Sequence, residues 1–148
     1  MGTVILIAIS GERQLKSENF STLEIADSDS GKIYGRRFIE NNKEFAIEYT
    51  HSVNNSTVHE IFRIDGKKIY SCAVRFYSFG AGMQTELEEG QQIVRDGDAL
   101  IITGLNKSYT ELNYIVGTVS DHLLLVNGER LSLRNLCGRN AHVTLRVR

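Results

Sequence analysis

The sequence predicts an all-β fold: a single antiparallel β-sandwich or partly closed barrel with at most one or two short helical turns. Three observations carry that reading. Apolar and polar residues alternate with period two along most of the chain, and Gly, Asn or Asp interrupts the alternation roughly every eight to twelve residues. Asp65-Gly66 and Asn127-Gly128 each lie between apolar runs and supply the positive φ values of tight hairpins. Proline is absent, where average usage of about 5% would give roughly seven, so punctuation falls to Gly, Asn, Asp and Ser. A length of 148 residues suits one compact domain, and 24% charged with 41% hydrophobic residues excludes a disordered tail, a collagen-like repeat and a coiled coil. The formal net charge of -1 provides no overall basic field for nucleic acid or anionic lipid.

Taken in order, the chain opens with the apolar run Val4–Ile9. Residues 1–10 form a hydrophobic segment, read either as a first strand or as the trailing edge of a membrane anchor, and 11–148 form a single β domain. The run is far shorter than the ~20 residues of a bilayer span, and no positively charged segment precedes it. Strands are expected at Thr22–Ala26, Arg37–Glu40, Phe45–Val53, Val58–Ile64, Lys68–Phe79, Leu100–Thr103, Leu112–Val119, His122–Val126, Arg130–Leu133 and His142–Val147. Only Thr85–Arg95 and Leu133–Leu136 suit a helical turn, and Gly90 weakens the first. Cys72 and Cys137 permit a disulfide without requiring one, and no CxxC or Cys/His quartet suggests structural zinc.

The hairpin from Phe45 to Ile64 is the most informative stretch. Along Phe45–Val53 the odd face is Phe45, Ile47, Tyr49, His51 and Val53; along Val58–Ile64 the even face is Val58, Glu60, Phe62 and Ile64. A turn at Asn54-Asn55-Ser56-Thr57 aligns both apolar stripes and sets Ile47 against Ile64, Tyr49 against Phe62 and His51 against Glu60. Directly opposed Cβ atoms lie about 4.5–5.5 Å apart, so an imidazole–carboxylate contact is expected there. Such a pair either clasps the strands or lines a ligand pocket with the His tautomer held by the acid. Ser52 adjoins His51 in sequence but points to the opposite face, so the hairpin contains no nucleophile beside the ring. A metal site would need more donors than these.

After the third strand of this region, Ser78-Phe79-Gly80-Ala81-Gly82-Met83 is either a sharp corner or a backbone nest able to cradle an anion. The Gly-x-Gly pair lacks the third glycine and βαβ setting of a dinucleotide site. Arg75 lies on the strand leading into this turn and could bring a cation near it.

Phe45-x-Ile47-x-Tyr49-Thr50-His51-Ser52-Val53, Val58-x-Glu60-x-Phe62 and Phe76-x-Ser78-Phe79-Gly80-Ala81-Gly82-Met83, in that order, resemble a bacterial family called domain of unknown function 1850. Val116-Gly117 and Asp121-His122-x-Leu124 look like its closing segment, and the resemblance covers roughly Ile39 to Leu133. Family members commonly carry a proline shortly after the His-Ser-Val block, where this chain has Thr57. The resemblance implies no established chemistry. It implies a small extracytoplasmic protein with an N-terminal hydrophobic segment, often encoded beside tripartite ATP-independent periplasmic (TRAP) transporters of the TAXI type. The expectation is therefore a non-enzymatic accessory domain outside the cytoplasm, membrane-anchored if the first segment is an anchor, with a cytoplasmic location as the alternative. It needs no cofactor and binds a small anionic solute or a transporter subunit. The expected site is His51, Ser52, Glu60, Arg75, Gly80, Ala81 and Gly82. The rivals are a hydrolase using His51 as general base and a purely structural interaction module.

Overall fold

The computed structural model describes residues 19–53, 55–77 and 86–148. Val4–Ile9 and the Gly80-Ala81-Gly82 turn lie outside the described residues. The described chain runs β1 (Phe20–Asp27), β2 (Ile33–Glu40), β3 (Glu44–Thr50), β4 (Thr57–Asp65), β5 (Lys68–Phe76), β6 (Gln92–Asp96), β7 (Ala99–Thr103), β8 (Ser108–Tyr109), β9 (Glu111–Ile115), β10 (His122–Val126), β11 (Glu129–Ser132), α1 (Leu133–Cys137) and β12 (His142–Val147). Every described pairing is antiparallel. A four-stranded sheet has the order β2-β1-β12-β9, and a larger sheet has the order β11-β10-β3-β4-β5-β7-β6, with β8 added alongside β5. The expected all-β sandwich is what forms.

The two sheets face one another over one core. Leu23, Ile25, Ile39, Leu112, Val143 and Leu145 from the smaller sheet meet Phe45, Ile47, Phe62, Ile64, Ile69 and Leu124 from the larger. These residues follow the period-two alternation of their strands, so pleating sends each stripe inward. The larger sheet extends into a second cluster, where Val58, Phe76, Leu100 and Ile102 are buried and Tyr49 packs against both clusters.

Turn chemistry sets the hairpins. Asn127 (φ 52°) and Gly128 (φ 78°) both take left-handed conformations between Val126 and its partner Glu129. Gly66 (φ 60°) serves the hairpin from Asp65 to Lys68. Gly117 allows the chain to leave β9: a Cβ there would stand 2.6 Å from the Ser120 carbonyl oxygen, so the expected strand ends early.

Two local expectations need correction. Gln92–Asp96 is a strand, not part of a helical turn over Thr85–Arg95, because Gly90 (φ 84°) is outside helical space and Gly97 (φ 60°) folds β6 back onto β7. The β3–β4 pairing is also displaced by four residues. Tyr49 faces Val58, Ile47 faces Glu60 and Phe45 faces Phe62, with the Phe45 and Phe62 rings stacked at 5.5 Å. The chain turns earlier than expected, with Asn55 at φ 51° and the Asn55 N–H donating to the His51 carbonyl at 2.9 Å. A shift of four preserves parity, so both apolar stripes still point inward.

Candidate functional site

Glu60 sits on the inward face of β4, between Ile47 of β3 and Val74 of β5. Its partners are two phenols. Tyr114, on β9 of the smaller sheet, donates its hydroxyl to Glu60 Oε2 at 2.7 Å. Tyr49, one diagonal step away on β3, places its hydroxyl 3.5 Å from Oε1. The carboxylate thereby joins the sheets through neutral donors. Among the described residues, no Lys or Arg forms an ion pair with Glu60.

Burial, then the nearby Glu60 charge, pushes the Tyr49 phenol up to about 12. The same causes raise the Tyr114 phenol further, so both hydroxyls stay protonated at neutral pH and act as donors. His122 completes the cluster. Its ring stacks on Tyr49 with centroids 5.3 Å apart and meets Tyr114 at 5.8 Å in a tilted arrangement. The Gly117 N–H donates to its Nδ1 at 3.4 Å, leaving Nε2 to carry the proton of the neutral ring. Burial lowers the His122 pKa, outweighing the opposing effect of Asp121, so the ring is neutral at pH 7.

Glu60 and Tyr114 open onto a cleft of about 410 Å³ at the edge of the sandwich. Phe62, Val74 and Leu105 form apolar wall, Tyr109 adds a second phenol, and Ser71, Lys107 and Asn113 supply polar groups. The volume is in the range of small-molecule sites. Ser71 Oγ is engaged by the Lys107 backbone, accepting from its N–H at 3.2 Å and lying 3.4 Å from its carbonyl oxygen. The Lys107 ammonium lies 3.4 Å from Glu88 and is largely solvated. Among the described residues, no group of three or more His, Cys, Asp or Glu side chains is arranged to hold a metal ion.

Of the described residues expected to form the site, the structure keeps Glu60 in a cleft and separates His51, Ser52 and Arg75 from it. His51 lies four residues beyond the position opposite Glu60, about 13 Å along the strand direction. There its Nδ1 accepts the Val53 N–H at 3.3 Å, closing the hairpin tip, and Ser52 is exposed beside it. Arg75 is paired with His59, on the face of the sheet opposite Glu60, and forms an ion pair with Asp96 at 3.0 Å. A His–carboxylate pair does bridge β3 and β4, but it is His59–Glu48: the residues are directly opposed, Nε2 and Oε2 lie 2.8 Å apart, and Arg130 donates to Glu48 Oε1 at 2.7 Å. This pair occupies the outer face. Cys72 and Cys137 are both free thiols.

Tyr49 and Tyr114 join the site from structure alone, and His122, in the closing segment of the resemblance, joins them through the pairing of β10 with β3. Alternation placed Tyr49 on the inward stripe and made Tyr114 a neighbour of Leu112 and Val116, but nothing local links either phenol to Glu60.

Fold and site together define a two-sheet antiparallel β domain with a carboxylate, held by two tyrosines, at a cleft between its sheets. The sequence profile of the family described as Domain of unknown function (DUF1850) matches residues 45–133, 89 of the 148, and the chain belongs to that family. The match contains the whole Glu60 cluster. No curated protein and no solved structure matches the chain.

Proposed function

We propose that this domain is a non-enzymatic accessory protein of solute uptake, working outside the cytoplasm beside a TRAP-type transporter and holding a small solute in the Glu60 cleft. One observation carries the binding role: a carboxylate without a cationic partner among the described residues opens onto a 410 Å³ cleft with aromatic and apolar walls. Glu60 is half-buried with only neutral donors, and a ligand that completes its hydrogen bonding offsets the cost of that partial desolvation. The sequence resemblance supports the uptake setting. Binding rather than turnover is favoured because the Ser71 hydroxyl is committed to the Lys107 backbone and His51 closes a hairpin tip.

The test is a thermal-shift screen of the purified chain against small amines, carboxylates and polyols, repeated with Leu105→Trp, which fills the cleft. At least one solute class is expected to raise Tm in the parent and to lose that effect in the variant. A panel with no effect, or stabilisation that persists in a folded Leu105→Trp protein, overturns the reading; in the second case the solute binds elsewhere.

A further inference from the structure

We infer that the Glu60 cleft selects cationic solutes: small molecules carrying an ammonium or comparable N–H⁺ group beside an apolar or aromatic body. This rests on the cleft being a solute site and names the charge of what enters it.

Glu60 is an anion whose partners are the phenols of Tyr49 and Tyr114, each of which supplies a hydrogen bond and no formal charge. A carboxylate has about four acceptor positions, and the two tyrosines occupy two of them. The groups able to neutralise it are engaged elsewhere. The Lys107 ammonium pairs with Glu88 at 3.4 Å; Arg63 lies over the Tyr70 ring at 4.6 Å and beside Asp65 at 3.5 Å. His122 abuts both tyrosines, yet burial holds its ring neutral at pH 7.

The walls reinforce the same preference. Tyr109 and Tyr114 put aromatic rings, which attract cations, into the cleft lining, while Phe62, Val74 and Leu105 make the rest of the wall apolar. An anionic solute would meet Glu60 in this partly desolvated space, where Lys107, solvated and paired with Glu88, is the one cation among the described lining residues. The expected preference for an anion drew on the glycine turn, which lies outside the described residues, and on His51, which the hairpin register carries away from Glu60.

Three probes of matched shape separate the possibilities: phenethylammonium, 3-phenylpropionate and 3-phenylpropan-1-ol, titrated into the full chain at pH 7 and followed by amide chemical shifts. Phenethylammonium is expected to perturb Glu60, Leu105 and Tyr114, to bind at least tenfold more tightly than either other probe, and to weaken with added salt. In Glu60→Gln its affinity is expected to fall at least tenfold, while that of the alcohol changes little. If the propionate or the alcohol occupies the cleft as tightly as the ammonium, the charge inference falls and the solute site survives. If none of the three perturbs cleft residues at millimolar concentration, both fall. The ranking of probes on the parent protein decides the matter even if Glu60→Gln fails to fold.

Discussion

Two carboxylates, Glu24 and Glu60, sit in strands of opposite sheets and have opposite surroundings. Glu24, on β1, has a side chain only 3% exposed beneath three guanidiniums. Arg36 and Arg146 stand directly opposite it on β2 and β12. Arg36 reaches Oε2 at 2.9 Å, Arg146 reaches Oε1 at 2.7 Å, and Arg148 stands 3.5 Å from Oε1. Glu60 has phenols where Glu24 has cations. Glu24 lies outside the stretch that matches the family, and Glu60 lies inside it. The difference teaches how to separate a structural acid from an available one. A carboxylate answered by fixed guanidiniums has its charge absorbed by the fold, and one answered only by hydroxyls retains charge for a ligand.

Removing each acid should expose that contrast most strongly. Glu24→Ala leaves three arginines crowded without their anion and is expected to lower stability by about 2–3 kcal/mol in urea unfolding. Glu60→Gln keeps an acceptor for Tyr114 and is expected to cost about 1 kcal/mol or less while abolishing cation preference. Equal losses of stability would erase the distinction. The phenols come next. Tyr114→Phe removes a 2.7 Å donor to a carboxylate and is expected to cost about 1.5 kcal/mol, against about 0.5 kcal/mol for Tyr49→Phe, whose contact is 3.5 Å. Reversal of that order would show that Tyr49 is the main holder of Glu60.

Acid sharpens the comparison further. The Arg146 hydrogen bond, opposed by burial and aided by Arg36, lowers the Glu24 pKa below its ordinary 4.5. A carboxyl whose folded pKa is depressed contributes stability that is complete above its unfolded pKa and is lost as pH falls through the folded one. Urea midpoints should therefore decline as pH drops below about 4.5, and Glu24→Gln should flatten that decline. An unchanged acid limb would mean the arginines do not hold Glu24 ionised. The smallest effect is expected at the hairpin tip. His51→Ala gives up one hydrogen bond to the Val53 N–H, so about 0.5 kcal/mol or less is at stake and probe binding should be unaltered. A large fall in affinity would return His51 to the site.

How far the residues alone reach is clearest in β3 and β4. Alternation identifies both strands and the face each buries, and Asn127-Gly128 announces its hairpin without help. It cannot choose between pairings four residues apart, because both present the same stripes to the core. The turn decided, through Asn55 and the hydrogen bond that returns to His51. β6 escaped notice for a related reason: all five of its residues are exposed, so no buried stripe marks it, and it exists because β7 offers an edge.

By itself, then, the chain determined an all-β domain, its inward stripes, most of its strands and the presence of one acid on an apolar face, since these depend on side-chain period and local turn geometry. The company that acid keeps was decided by folding. Tyr114 is 54 residues away in sequence and reaches Glu60 only because two sheets stack, and His122 meets Tyr49 only because β10 pairs with β3. Local periodicity says which way a side chain points; what it then touches depends on how distant strands are paired and packed.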